Sequence, residues 1–130
     1  MIPKLQNILY VEDDADIRQV TVMTLELIGG LSVKACASGA EAGAADNDFR
    51  PDLLLLDVMM PGMDGPATLA HLRQDGRFAA VPAIFFTAKV RPEEVARLHD
   101  LGAIGVIGKP FDPQTLVDDL RNKWAAHHGG

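Results

Sequence analysis

The run Leu53-Leu54-Leu55-Leu56 offers no polar residue to water and is closed at once by Asp57. A strand with one wet face alternates apolar and polar residues, so an unbroken run fits a central strand covered on both faces, as in a parallel sheet flanked by helices. Four further stretches, Ile8 to Val11, Leu31 to Ala35, Ala83 to Phe86 and Gly105 to Gly108, alternate along the chain with segments of helical spacing. That alternation is the mark of stacked strand–helix–strand units.

The helices announce their ends. Ile17, Val20, Thr24, Leu27 and Ile28 recur at helical spacing after Asp14, which predicts a first helix from about Ala15 to Leu27, stopped by Gly29-Gly30. Ser38 with Glu41 forms a capping box that opens a second helix near Gly39, expected to stop before Pro51. Pro66 suits a first helical position, with Leu69 and Leu72 inward and an end near Gln74. Pro92 with Glu93 and Glu94 repeats that logic for a fourth helix to about Leu101, before Gly102. Asp112-Pro113 opens a fifth, with Leu116, Leu120 and Trp124 inward, a core spanning about residues 6–124, and a flexible tail over residues 125–130.

Each strand-to-helix crossover is right-handed by near necessity. The expected architecture is α/β: a flavodoxin-like, doubly wound, five-stranded parallel sheet of order 2-1-3-4-5 with five helices, the order that puts strands one and three at the switch point. At 130 residues the chain is expected to form one domain. A net charge of −6 without a clustered basic face argues against direct nucleic-acid binding. No segment approaches the roughly 20 apolar residues that cross a bilayer, and Met1 to Gln6 lacks a secretory signal, so a cytoplasmic location is expected. The single Cys36, at a strand end with no basic neighbour in sequence, reads as a buried small hydrophobe.

Ligands of open parallel sheets bind beyond the carboxyl ends of the strands. Four of the five strands here are followed by a reactive polar residue: Glu12-Asp13, Asp57, Thr87 and Lys109. Three carboxylates at one edge repel one another unless a cation intervenes, and oxygen-only ligands suit Mg²⁺ with phosphate oxygens completing its shell. Asp57, ending the most buried strand, is the best nucleophile, giving an aspartyl phosphate. In that reading a metal held by Asp13 and Asp57 draws charge from the transferring group, Lys109 pairs with another of its oxygens, and Thr87 donates a hydrogen bond.

Taken singly, each residue has an ordinary explanation. Acidic runs such as Glu12-Asp13-Asp14 usually form solvated loops and caps, and Asp14 suits a cap. Thr87 alone fits a turn and Lys109 alone an exposed charge. Their common placement after strands favours a shared site. Other motifs fail: Gly108-Lys109 lacks the earlier P-loop glycine, which is Ala103, and is followed by Pro110. Asp14-Ala15-Asp16 has Arg18 at the next calcium-ligand position. His127 and His128 fit a histidine-bearing tail better than a metal site.

The set Val11-Glu12-Asp13-Asp14, Asp57 through Pro61-Gly62-Met63-Asp64-Gly65, Thr87-Ala88 and Lys109-Pro110-Phe111 resembles the response-regulator receiver domain of two-component signalling, over nearly the whole chain. The resemblance implies that Asp57 accepts a phosphoryl group from a histidine kinase or phosphotransfer protein, that Glu12, Asp13, Asp57 and the Met59 carbonyl form the Mg²⁺ site, and that the Lys109-Pro110 bond is cis. It also implies a stand-alone receiver, monomeric or weakly dimeric, not an enzyme in the usual sense, whose output is binding to a downstream protein. The surface expected to change is the loop after strand four, helix four and strand five.

Three positions depart from or tune that pattern. Val106 stands where many receivers carry an aromatic ring, so coupling is expected through Thr87-Ala88-Lys89 with weaker restructuring of the last strand. By the same resemblance Met59 and Lys89, two residues beyond Asp57 and Thr87, occupy positions that border the phosphoryl group in that family, where Met59 could obstruct water and Lys89 neutralise phosphate, which predicts a persistent phosphorylated form. Two other functions compete: a pseudo-receiver that binds without phosphorylation, and a phosphatase of the haloacid-dehalogenase kind. The latter needs an aspartate two residues after its nucleophile, where this chain has Met59.

Overall fold

The computed structural model describes residues 2–45 and 48–129. Its elements are β1 (Asn7–Val11), α1 (Ala15–Met23) continued by a π-helical turn (Thr24–Ile28), β2 (Ser32–Cys36), α2 (Gly39–Gly43), β3 (Leu53–Asp57), α3 (Gly65–Arg73), β4 (Ala83–Thr87), α4 (Pro92–Asp100), β5 (Ala103–Gly108) and α5 (Pro113–Gly129). All strand pairs are parallel and the order is β2-β1-β3-β4-β5, as expected.

The leucine run occupies the middle strand, and its two-residue period divides the core. Leu53 and Leu55 join Ile8, Tyr10, Ile84, Leu120 and Trp124 on one face; Leu54 and Leu56 join Val11, Phe85, Leu69 and Leu72 on the other. A strand wanted by both layers has no position for a polar side chain until Asp57, where the sheet ends.

The caps follow from sequence. Asp14 Oδ1 accepts from the amides of Asp16 (2.9 Å) and Ile17 (3.0 Å), and Asp64 Oδ1 from that of Ala67 (2.8 Å). Ser38 Oγ accepts from Glu41 N, while Glu41 Oε2 reaches one residue further back than a standard box, to Ala37 N.

Three expectations need correction. The first helix is α-helical only to Met23 and continues with i→i+5 bonding to Ile28. Thr21 and Thr24 face inward, each hydroxyl donating to a carbonyl four residues back at 2.8 Å, a bond that loosens the α-helical ladder. The spacing read as a helix signal therefore lies largely outside: Ile17, Val20, Leu27 and Ile28 are exposed while Thr24 is buried, and Leu25 alone of the helix's large aliphatics is fully buried.

The second helix is shorter than expected, ending at Gly43. Glycine is a poor helix former, and here its missing side chain admits the His71 ring, since a Cβ at Gly43 would lie 2.6 Å from His71 Nε2. Asp46 and Asn47 of the expected helix fall outside the described residues.

The supposed flexible tail is helical through Gly129, with Gly130 outside the described residues. Trp124 is the reason. Its indole N–H donates to Pro3 O at 2.8 Å and its ring packs against His128 with centroids 4.0 Å apart, so the last turns have partners.

Candidate functional site

The parallel sheet delivers four strand ends to one edge. Glu12 follows β1 and is 1% exposed; its N–H donates to Cys36 O at 3.0 Å, holding the loop against the end of β2. Asp57 ends β3 at 4% exposed, and Thr87 ends β4, also buried. Lys109 follows β5, and its N–H donates to Thr87 O at 2.8 Å, so the last two strand ends are tied by backbone.

Lys109 reaches back across the sheet. Its ammonium donates to Glu12 Oε1 at 2.5 Å and to Asp57 Oδ1 at 2.8 Å. Two buried carboxylates thus share one cation, with Asp13 exposed at the mouth and one oxygen from each of Glu12, Asp13 and Asp57 lying within 4.8 Å of the others. Burial pushes the Glu12 carboxyl up to about 7; the bond from Lys109 lowers it, but Asp57 adds repulsion. Burial opposes the charge on Lys109, yet its bonds to Asp57 and Glu12 more than offset this and hold its pKa above the ordinary lysine value.

The acidic donor set fits a hard divalent cation. Its atoms are all carboxylate oxygens, they converge, and the partner ammonium supplies only one of the positive charges that three carboxylates require.

Around this centre, the structure locates the remaining sequence candidates. Thr87 Oγ1 accepts from Lys89 N at 2.9 Å, so the loop after β4 closes on the hydroxyl itself. Lys89 is exposed, and Met59, in the loop after Asp57, is 62% exposed. Val106 is partly buried against the α3 side of the sheet, and Lys109-Pro110 is cis.

Three residues contribute that the sequence reading left without a role. Arg18 of α1 folds back under the acidic loop, its Nη1 donating to Glu12 O at 2.8 Å and Asp13 O at 3.4 Å. A basic residue one turn into a helix that follows an acidic loop was the available signal. Gly65 opens α3 so close to β3 that a Cβ would meet Asp57 O at 2.4 Å and Val58 Cα at 2.9 Å. Phe111 stacks on Phe86 at 5.7 Å, and Phe86 meets the edge of Tyr10 at 6.1 Å, an aromatic layer beneath the polar one. Nothing in spacing alone pairs those rings.

Among the described residues no helix is long and apolar enough to cross a membrane. The family model described as the response regulator receiver domain matches residues 8–121. The chain is similar to the DNA-binding response regulator MtrA of Mycobacterium tuberculosis, at 38% identity over 89% of this chain and 49% of that protein. It is also similar to the probable transcriptional regulator ycf29 of Porphyra purpurea, at 32% identity over 89% of this chain and 55% of that protein. The chain spans about half the length of these curated relatives. Among solved structures, the chemotaxis protein CheY4 of Vibrio cholerae superposes with a TM-score of 0.82 at 32% identity, covering 92% of this chain and 98% of that one.

Proposed function

The chain belongs to the response regulator receiver domain family of two-component signalling, and from that premise we propose that Asp57 is the phosphoacceptor, with Thr87 and Lys109 the groups that attend its phosphoryl. The observation that carries this reading is the Lys109 ammonium held between Glu12 and Asp57 at the strand ends, 2.5 and 2.8 Å away.

The donor is a histidine kinase or phosphotransfer protein. An Asp57 carboxylate oxygen attacks phosphorus, the phosphorus–nitrogen bond to imidazole breaks, and the ring nitrogen keeps the electron pair and takes a proton. An acyl phosphate remains on Asp57. β3 fixes the direction of attack because Asp57 is the last residue of a strand buried throughout. Lys109, already charged and already against Asp57 Oδ1, moves only from carboxylate to phosphoryl oxygen. Glu12, Asp13 and Asp57, with the Met59 carbonyl, would hold Mg²⁺, which when bound neutralises charge on carboxylates and phosphoryl alike.

Phosphorylation adds roughly 1.5 to 2 negative charges and new acceptor oxygens. Thr87 Oγ1, now an acceptor for Lys89 N, becomes a donor to the phosphoryl group, and the 87–89 turn shifts with it. The loop after β4, α4 and β5 present the change to a downstream protein. Direct contact with DNA is not part of this reading for the chain, whose net charge is −6.

Multiple turnover as a phosphatase is disfavoured because the residue two beyond Asp57 is Met59, which carries no titratable proton. The test is incubation with Mg²⁺ and acetyl phosphate followed by intact mass measurement. One added phosphoryl group on wild type and none on Asp57→Asn is expected. No label on wild type marks a binding-only pseudo-receiver, and sustained phosphate release marks a phosphatase.

A further inference from the structure

Asp13 is the least constrained of the three carboxylates gathered at the strand ends. Lys109 holds Glu12 and Asp57, whereas Asp13 is exposed at the mouth of the site, so its direction is set by its own backbone. Arg18 sets that backbone. One guanidinium nitrogen, Nη1, donates to Glu12 O at 2.8 Å and to Asp13 O at 3.4 Å, and these carbonyls belong to the two peptide planes that flank the Asp13 Cα. With both planes held, the Cα–Cβ bond of Asp13 has one direction.

The rest of the loop is tied as well. Glu12 N–H donates to Cys36 O at 3.0 Å, Asp14 N–H to Glu12 Oε2 at 3.4 Å, and Asp14 Oδ1 caps α1. Those bonds hold the ends of the loop, and Arg18 holds its middle.

A guanidinium beneath a cation site also repels the cation, so positioning and repulsion predict opposite effects. They also treat ions differently. Mg²⁺ demands near-ideal octahedral geometry at about 2.1 Å, while the larger Ca²⁺ accepts irregular shells at about 2.4 Å. Repulsion acts equally on two ions of the same charge, and at the half-buried Arg18 water and salt screen it. A held loop favours the ion that tolerates least misplacement.

Resting on the metal site of the phosphoacceptor reading, we propose that Arg18 determines cation selectivity: it positions Asp13 for Mg²⁺ and keeps the loop from opening for Ca²⁺. It is a positioning residue, acting through the peptide planes beside Asp13.

The probes are Mg²⁺ and Ca²⁺ alone, each titrated into the metal-free chain at pH 8, where Glu12 is largely ionised, and followed by the amide shifts of residues 12–14 and 57. Arg18→Ala raises the Kd for Mg²⁺ by roughly tenfold and that for Ca²⁺ by about threefold or less. Arg18→Lys, which keeps the charge but not the rigid fork, falls between. Arg121→Ala removes a comparable bond, to Gly29 O at 2.6 Å, near the opposite end of the sheet and changes neither constant. Labelling of Arg18→Ala by acetyl phosphate needs correspondingly more Mg²⁺ and recovers as the ion saturates. Equal weakening for both ions means a general structural role and overturns the inference, as does an unchanged Mg²⁺ constant. Tighter binding of both ions means that repulsion dominates, which also overturns it. Should Arg18→Ala lose its amide dispersion, the ratio of the two constants in Arg18→Lys decides, and a wild-type ratio there overturns the inference. A wild type that binds no Mg²⁺ removes the metal site and this inference together. A wild type that binds Mg²⁺ but takes no phosphoryl group from acetyl phosphate removes the phosphoacceptor reading alone, and the ratio still decides the role of Arg18.

Discussion

Lys89 N–H donates to Thr87 Oγ1 at 2.9 Å, so the hydroxyl at the end of β4 also closes the loop that follows it. Movement of that hydroxyl toward a phosphoryl group would pull on the Lys89 amide and the turn it closes. With Val106 offering no ring to rotate, we propose that phosphorylation of Asp57 is read out at the surface through this turn.

Thr87→Val keeps the volume and removes the hydroxyl. Loss of the turn bond should lower stability by about 1 kcal/mol. Asp57 should still be labelled, more slowly, and the amide shifts of residues 87–91 seen on adding a phosphoryl mimic to wild type should largely vanish. Large mimic-induced shifts confined to β5 would contradict this route.

Lys109→Met leaves two buried carboxylates with no cation between them. Metal-free protein at pH 8 should lose about 3 kcal/mol, read by urea unfolding. Saturating Mg²⁺ should recover part of the loss, because the ion supplies the missing charge. An equal loss with and without Mg²⁺ would separate Lys109 from the carboxylate problem.

Glu12 makes the metal-free fold pH-dependent. Its carboxyl is raised from 4.5 to about 7, chiefly by burial, so the folded state binds the proton more tightly than the unfolded chain. The stability this contributes is complete below pH 4.5 and is lost as pH rises through about 7. Glu12→Gln should flatten that part of the stability profile. Mg²⁺ binding should release a proton at pH 6 and almost none at pH 8, measurable by calorimetry in buffers of different ionisation heat.

Gly65→Ala forces a methyl against the backbone of Asp57 and Val58, at 2.4 and 2.9 Å, where nothing flexible can yield. We expect a loss of about 1–3 kcal/mol and slower labelling of Asp57, because α3 is pushed from the end of β3. Gly76→Ala, whose added Cβ meets nothing within 4 Å, is the control.

Met59, two residues beyond Asp57, and Lys89, two beyond Thr87, are both exposed, and under the phosphoacceptor reading they tune the lifetime of the phosphorylated form. Exchanging them for Asn and Glu should shorten the phosphorylated lifetime by roughly tenfold, a barrier change of about 1.4 kcal/mol. Loss of label followed by mass spectrometry decides it, and a wild-type lifetime no longer than that of the double mutant refutes it.

The strand-end site was legible because parallel topology converts sequence order into spatial convergence: once Leu53–Leu56 is central, Glu12, Asp57, Thr87 and Lys109 can only gather. The α1 stripe was misleading for the opposite reason. Apolar spacing announces a helix, but which side faces the core depended on two threonines able to bury their hydroxyls on their own carbonyls. Contacts between distant segments, such as Phe111 on Phe86 or Trp124 on Pro3, leave no periodic trace.

The bond from Trp124 to Pro3 O fixes the beginning of the chain against its last helix, and both lie where the strands start, away from the edge that carries Asp57. A surface tether joined near either Ile2 or Gly129 would therefore leave the acceptor edge uncovered, and two labels placed there would sit too near each other to register movement of the β4–α4 loop by changes in their separation.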